Sequence, residues 1–108
     1  MKTGITSQVV HPFIVGVDVS KESMDVCMIE MVTQRQYSIC LTNTSEGYIK
    51  LKRWMKQHGN DDHEQTLFCM EHMGIYTQNL VKYLLKRGCK VWLESSLHIK
   101  RSIGLMRG

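Results

Sequence analysis

The sequence is poor in proline and contains no long apolar run. One proline among 108 residues argues against a disordered linker. No segment approaches the roughly 18 apolar residues of a membrane-spanning helix, and residues 1–11 lack an apolar core of signal-peptide length. We therefore expect a soluble, cytoplasmic protein with no membrane partner. The length leaves room for one domain.

The four cysteines show no CxxC spacing, which argues against a zinc site or a redox motif. Each lies in or beside an apolar run with the composition of a strand. Buried, reduced thiols are therefore predicted at Cys27, Cys40, Cys69 and Cys89.

Acidic residues are scarce in the last third of the chain. Beyond Glu71 the only acid is Glu94, whereas the same stretch carries seven basic residues, and the net charge is +4. This distribution predicts a basic surface suited to a polyanionic partner. A solvated helix face would produce the same pattern, so charge alone leaves both interpretations open.

Apolar periodicity predicts five strands and three helices in the order β-β-β-α-β-α-β-α. Short turns make the first three strands an antiparallel meander, and the later strands, each reached through one helix, run parallel. The predicted strands cover residues 13–19, 24–31, 36–41, 66–70 and 91–93. The first predicted helix follows the cap Asn43, the second begins at Tyr76 and stops at Gly88, and the third starts at Ser95 or Ser96. This is the order of the RNase H-like fold, an α/β fold with a mixed five-stranded sheet flanked by helices. Residues 1–11 are assigned to a flexible lead-in and residues 12–108 to the domain.

Two carboxylates stand at the ends of apolar runs. Asp18 lies inside the first predicted strand, and Glu71 directly follows the fourth. A buried, unpaired carboxylate is costly, so such residues need a partner. In this fold the first and fourth strands are parallel neighbours, and their carboxyl ends bring Asp18 and Glu71 together. Hard oxygen ligands there suit Mg²⁺ or Mn²⁺ and phosphodiester cleavage, although capping of the next turn and helix explains the same spacing.

Four segments, taken in order, resemble the motifs of one protein family. They are V-G-V-D-V-S-K-E from Val15, N-T-S-E-G-Y from Asn43, F-C-M-E-H-M-G-I-Y from Phe68, and a basic segment from Leu97 to Ser102 with Gly104, Arg107 and Gly108. Together they resemble the DEDD transposases of bacterial insertion sequences, relatives of the Piv DNA invertase, over about residues 13–108.

The resemblance implies a RuvC-type domain of a DNA transposase that uses Mg²⁺ or Mn²⁺ to cut and join DNA. It implies that Asp18 and Glu71 are catalytic and are the first two of four metal-binding acids. It also implies a homo-oligomer in the full-length protein and, for some members, a structured guide RNA.

The sequence departs from the family pattern in three places. The third and fourth acids, in a D-x-x-D pattern, are expected just after the basic segment, but no aspartate follows residue 62. We therefore expect a domain truncated at its C-terminus, with an incomplete catalytic site and no cleavage by this chain alone. Met73 stands where the family has threonine. Glu94 stands where asparagine is more common, and is either a makeshift third ligand or a surface acid.

Basic side chains are candidates for phosphate contacts. We predict Lys21, close to the first acid, and Lys100, Arg101 and Arg107 of the basic segment as nucleic-acid-binding residues. Such contacts give affinity and salt dependence rather than sequence readout.

Two other functions stay open. One is a non-enzymatic nucleic-acid-binding or dimerising remnant of a mobile element. The other is a nucleotide-binding fragment of the actin-like ATPase fold, which also opens with an apolar strand, an aspartate and a hydroxyl-bearing hairpin. That fold requires a second, glycine-rich phosphate loop, which is not visible in this sequence.

Overall fold

The computed structural model describes residues 12–60, 66–71 and 74–94. Its elements are β1 (Phe13–Val19), β2 (Ser23–Glu30), β3 (Arg35–Thr42), α1 (Ser45–Gln57), β4 (Thr66–Glu71), α2 (Gln78–Lys86) and β5 (Lys90–Glu94). All five predicted strands and the first two predicted helices are present. The predicted lead-in over residues 1–11 and the third helix lie outside the described residues.

The strands form one mixed sheet in the order β3-β2-β1-β4-β5. β2 pairs antiparallel with both β1 and β3, so the first three strands are the predicted meander. β4 pairs parallel with both β1 and β5, which places the strands reached through helices on the other side of β1. The predicted mixed five-stranded α/β sheet is confirmed.

Alternating side chains of the strands divide the interior into two clusters. Met24, Val26 and Met28 of β2 are buried on one face, as their spacing predicts. Both described helices pack against this face, α1 through residues such as Leu51 and α2 through residues such as Leu80. Each such leucine contributes roughly 2 kcal/mol by leaving water. We call this side of the sheet the helix face.

The second, smaller cluster lies on the opposite face. Its buried members are Cys27, Ile29 and Cys69, and the half-buried Trp92 packs against them. Trp92, like Trp54 on the helix face, therefore contributes to the apolar interior. Neither described helix belongs to this cluster.

α2 ends at the glycine that the sequence predicts. Gly88 has a φ of +78°, which favours glycine, and follows the C-cap residue Arg87. The N–H groups of Gly88 and Cys89 donate to the carbonyl oxygens of Leu85 and Leu84, each over 3.0 Å. This is the bonding pattern of a Schellman motif, which turns the chain directly into β5. Within the described part of the chain, no helix is long and apolar enough to cross a membrane.

Candidate active site

Asp18 and Glu71 lie side by side at the carboxyl edge of the sheet. β1 and β4 are parallel neighbours, and their register pairs Val17 with Met70, the residues directly before the two acids. The backbone thus brings the two predicted positions together. The side chain of Glu71 lies outside the described part of the structure, so its role as a metal ligand stays a prediction.

The acids form a row across four strands. Asp25 of β2 pairs with Asp18, and Glu94 of β5 pairs with Glu71. We call Asp25, Asp18, Glu71 and Glu94 the acid row. Asp18 and Asp25 are both exposed, and residues directly opposite on neighbouring strands have Cβ atoms roughly 5 Å apart. Like charges so placed repel each other, so a cation between them would stabilise the sheet edge.

The expected burial of Asp18 is wrong. β1 ends one residue later, at Val19, and the side chain of Asp18 is exposed to solvent. No desolvation cost therefore demands a partner for this carboxylate. The exposed carboxylate is instead accessible, so that a hydrated cation and a phosphate group can both approach it.

The donor chemistry of the acid row suits a hard cation. Among the side chains that the structure describes, no three His, Cys, Asp or Glu groups lie close enough to hold a metal. Mg²⁺ does not need such a cage, because it usually keeps several waters and binds through one or two carboxylates plus phosphate oxygens. Asp18, with Asp25 beside it, offers that kind of partial site.

Asn43 connects the segments that follow the two acids. Its Nδ2 donates to the carbonyl oxygen of Ser20 over 3.0 Å and to that of Tyr76 over 2.9 Å. Ser20 comes two residues after Asp18, and Tyr76 comes five residues after Glu71. One amide group therefore ties together the two chain segments that leave the carboxyl edge.

The other side of the Asn43 amide is fixed by α1. The Tyr48 hydroxyl donates to Asn43 Oδ1. Burial raises the pKa of Tyr48, which keeps the donated proton on the hydroxyl. Asn43 thus joins parts of three family-like segments, those that contain Ser20, Tyr48 and Tyr76.

The prediction that Asn43 caps α1 is wrong by one residue. The N-cap is Thr44, whose Oγ1 accepts the N–H of Gly47 over 3.1 Å. Asparagine and threonine are both good cap residues, so local spacing did not separate them. The resemblance of the segment N-T-S-E-G-Y, which begins at Asn43, to a family motif was the available sequence signal that Asn43 has a role besides capping.

Lys21 lies exposed in the turn directly after β1, close in sequence to Asp18. The other predicted phosphate contacts, Lys100, Arg101 and Arg107, lie outside the described residues. The structure adds a set of exposed basic side chains on the two helices and just after α2: Lys50, Lys52, Arg53, Lys56, Lys82, Lys86 and Arg87. Burial raises the pKa of Cys89, and the charges of Lys52 and Arg87 oppose that rise. Lys52 of α1 and Arg87, directly after α2, therefore both lie near Cys89, and cations grouped in this way favour a polyanionic partner.

Three of the four cysteines are buried, as predicted, but Cys40 is exposed. It lies on the edge strand β3 and on the face away from the described helices, opposite Asp25. A hydrogen bond with Asp25 raises the pKa of Cys40, with smaller contributions from burial and from the charge of Asp25. Burial raises the pKa of Cys69 to about 11.

Replacing Asp25 by asparagine should therefore speed the alkylation of Cys40. The substitution removes the charge that disfavours the thiolate, so the pKa of Cys40 falls and more of it is ionised at pH 8. Mass spectrometry of the iodoacetamide-treated chain measures the rate, and Asp18→Asn, which contacts no cysteine in the described hydrogen bonds, is the control. An unchanged or slower rate in Asp25→Asn would contradict the pairing of Asp25 with Cys40.

The comparison with known families identifies the class of protein to which this chain belongs. A family model of DEDD transposases of the IS110 type, described as a transposase, matches residues 15–108. The chain therefore belongs to the DEDD transposase family of the IS110 type. No curated protein matches it.

The fold also resembles a solved structure. This is the crystal structure of a Bacteroides thetaiotaomicron protein with an actin-like ATPase fold and unknown function, with a TM-score of 0.63 and 13% identity. The match covers 93% of this chain and 40% of that one, so the chain spans less than half the length of its structural relative. At this identity the likeness shows the fold alone.

Proposed function

We propose that this chain forms the N-terminal part of the RuvC-type nuclease domain of a DNA transposase, with Asp18 and Glu71 as ligands of Mg²⁺ or Mn²⁺. The observation that carries the proposal is the shared register of the two acids on adjacent parallel strands. Both acids lie inside the segment, residues 15–108, that the transposase family model matches.

The chemistry follows from the position of the acids. When bound, the metal would neutralise charge that develops on a phosphodiester and help to generate the attacking oxygen. Asp18 would hold the ion at an open edge, where DNA can reach it. Lys21, in the next turn, would contact a neighbouring phosphate.

Replacing Asp18 by asparagine should weaken Mn²⁺ binding by at least about tenfold, because the substitution removes a charged ligand and keeps the shape of the side chain. Electron paramagnetic resonance of free Mn²⁺ measures the affinity. The matched control is Glu30→Gln, which removes one negative charge at the opposite end of the sheet, where Glu30 pairs with Phe13.

Two results would overturn the proposal. One is an Mn²⁺ affinity that Asp18→Asn leaves unchanged. The other is an equal loss in Glu30→Gln, which would mean that the ion responds only to overall charge. Asp25→Asn and Glu94→Gln, measured in the same way, would show whether other members of the acid row are ligands.

Several parts of the proposal rest on the family alone. They are the DNA substrate, a homo-oligomer, a structured guide RNA and a cytoplasmic location. We expect weak metal binding without DNA cleavage by residues 1–108 alone, because Asp18 and Glu71 are two of the four acids that the family pattern requires.

The fold likeness keeps nucleotide binding as a second candidate function. The relative has an actin-like ATPase fold, and that fold shares the apolar first strand ending near an aspartate. ATP binding that depends on Asp18 and Mg²⁺, without any binding to DNA, would favour this candidate. DNA binding that is independent of metal and of Asp18 would favour the non-enzymatic nucleic-acid-binding module.

A further inference from the structure

A pocket of about 270 Å³ lies between the start of α2 and the end of β5. It is lined by Gly74, Thr77, Gln78, Val81, Lys82 and Leu93. Gly74 follows Glu71 by three residues, and Leu93 directly precedes Glu94. The pocket therefore lies at the carboxyl edge of the sheet and on the helix face, where α2 forms one of its walls. Asp18, Asp25 and Glu94 occupy strand positions of the opposite face.

The start of α2 lacks the groups that usually satisfy a helix N-terminus. Its first turn contains no acidic residue, and the N-cap residue Thr77 makes no side-chain capping bond. The first helical N–H with a described backbone acceptor is that of Val81, which donates to the Thr77 carbonyl oxygen over 3.0 Å. The N–H groups of residues 78–80 precede it and carry the positive end of the helix dipole.

Thr77 supplies a second, independent observation. Its side chain is 6% exposed, yet its hydroxyl has no hydrogen-bond partner among the described residues. A buried hydroxyl without a partner costs free energy comparable to a lost hydrogen bond. Because Thr77 lines the pocket, a ligand with acceptor oxygens would satisfy this hydroxyl and the neighbouring N–H groups together.

The remaining walls narrow the choice of ligand. Lys82 lies one turn into α2 and brings a positive charge to the pocket, whereas Val81 and Leu93 form an apolar wall. An anion bound at the helix N-terminus would be matched by the ammonium group. The apolar wall suits the carbon skeleton of an attached sugar, which a bare inorganic ion does not have.

We propose that this pocket binds the phosphate of one nucleotide unit in a nucleic-acid strand. The assignment of that phosphate to a strand rests on the proposed function, since a strand that contacts the acid row and crosses the carboxyl edge of the sheet would reach this pocket on the helix face. The chemistry of phosphate binding is shared with a free nucleotide. The experiment below separates the two sources.

The test measures binding of a fluorescein-labelled, twelve-nucleotide single-stranded DNA by anisotropy, in EDTA so that no divalent metal contributes. Thr77→Val keeps the shape of the side chain and removes the hydroxyl, and Lys82→Gln removes the charge. Each should weaken binding about tenfold, as expected for loss of a hydrogen bond to a charged group. The control Lys90→Gln removes the same charge at the start of β5, outside the pocket lining, and should change the affinity less than about twofold.

Titrations of ¹⁵N-labelled chain with inorganic phosphate, ATP and the oligonucleotide identify the source. We expect the oligonucleotide to shift the amide resonances of Gln78, Asn79 and Leu80 most strongly. Shifts with ATP or phosphate but none with the oligonucleotide would overturn the assignment to a strand. Equal oligonucleotide affinity in Thr77→Val, Lys82→Gln and Lys90→Gln would overturn the pocket itself. Neither result bears on the Mn²⁺ measurement with Asp18→Asn, whose failure would overturn the proposed function instead.

Discussion

Replacing Gly47 by alanine should lower the free energy of unfolding by at least about 3 kcal/mol. Gly47 lies in the first turn of α1, where the helix passes close to the end of β3. An added Cβ would fall on the carbonyl oxygen of Thr42, and would lie 2.8 Å from its carbonyl carbon and 2.9 Å from its Oγ1. Most of this obstacle is backbone, so either the strand or the helix must move.

Helix propensity alone predicts a change in stability of the opposite sign. Alanine is a better helix former than glycine by about 1 kcal/mol. Without the close approach to Thr42, the substitution would therefore stabilise the chain. Urea unfolding followed by circular dichroism measures the difference, provided that the slope of the transition is unchanged between the two proteins.

Gly88→Ala is the matched control. Gly88 has a positive φ, and an added Cβ there would meet nothing within 4 Å. The same substitution then tests backbone conformation alone, which costs about 1–2 kcal/mol for an L-residue in the left-handed region. A loss in Gly47→Ala no larger than that in Gly88→Ala would show that α1 and β3 are not as close as the structure has them.

The strand order follows from a small number of rules that the sequence already satisfies. Short turns connect β1, β2 and β3, so these strands form an antiparallel meander. Each connection that contains a single helix leads to a parallel strand through a right-handed crossover. Once β4 lies beside β1, the apolar runs that end at Asp18 and Glu71 meet at one edge. The position of these two residues was therefore predictable, whereas their chemical role needs a measurement.

The features that the sequence did not predict depend on which parts of each face of the sheet are covered by other residues. A period of two residues places Cys40 and Cys27 on the same face of the sheet, but it does not say that Cys27 is buried and Cys40 exposed. That difference arises because β3 is the edge strand. Asp18 was likewise expected to be buried because its neighbours in sequence are apolar, but it lies where the strand runs out.

The pocket beside α2 belongs to the same group of unpredicted features. Its walls come from α2, from β5 and from the loop after β4, and they meet only in the folded chain. Threonine is a common N-cap residue, so the local sequence predicts that the Thr77 hydroxyl accepts a backbone N–H of α2. The structure shows that Thr77 makes no such bond, and this mismatch between local expectation and observed geometry is what points to a ligand.

Replacing Asn43 by alanine should lower the free energy of unfolding by about 3 kcal/mol, because it removes the partner of two carbonyl oxygens and of the Tyr48 hydroxyl. It should also weaken Mn²⁺ binding by about tenfold at temperatures where the variant is fully folded. The reason is positional. Asn43 ties the chain at Ser20 to the chain at Tyr76, and without it the segments that leave the sheet directly after Asp18 and Glu71 lose this connection.

Two control variants separate positioning from general stability. Tyr48→Phe removes only the bond to Asn43 Oδ1, so it should cost about 1 kcal/mol and leave the Mn²⁺ affinity unchanged, because both Nδ2 bonds remain. Leu84→Ala empties part of the core, where Leu84 is 3% exposed, and should cost about 2–5 kcal/mol. If Asn43 acts as a positioning residue, Leu84→Ala loses as much stability as Asn43→Ala but keeps its Mn²⁺ affinity. An equal loss of affinity in both variants would mean that the metal site only follows the stability of the fold.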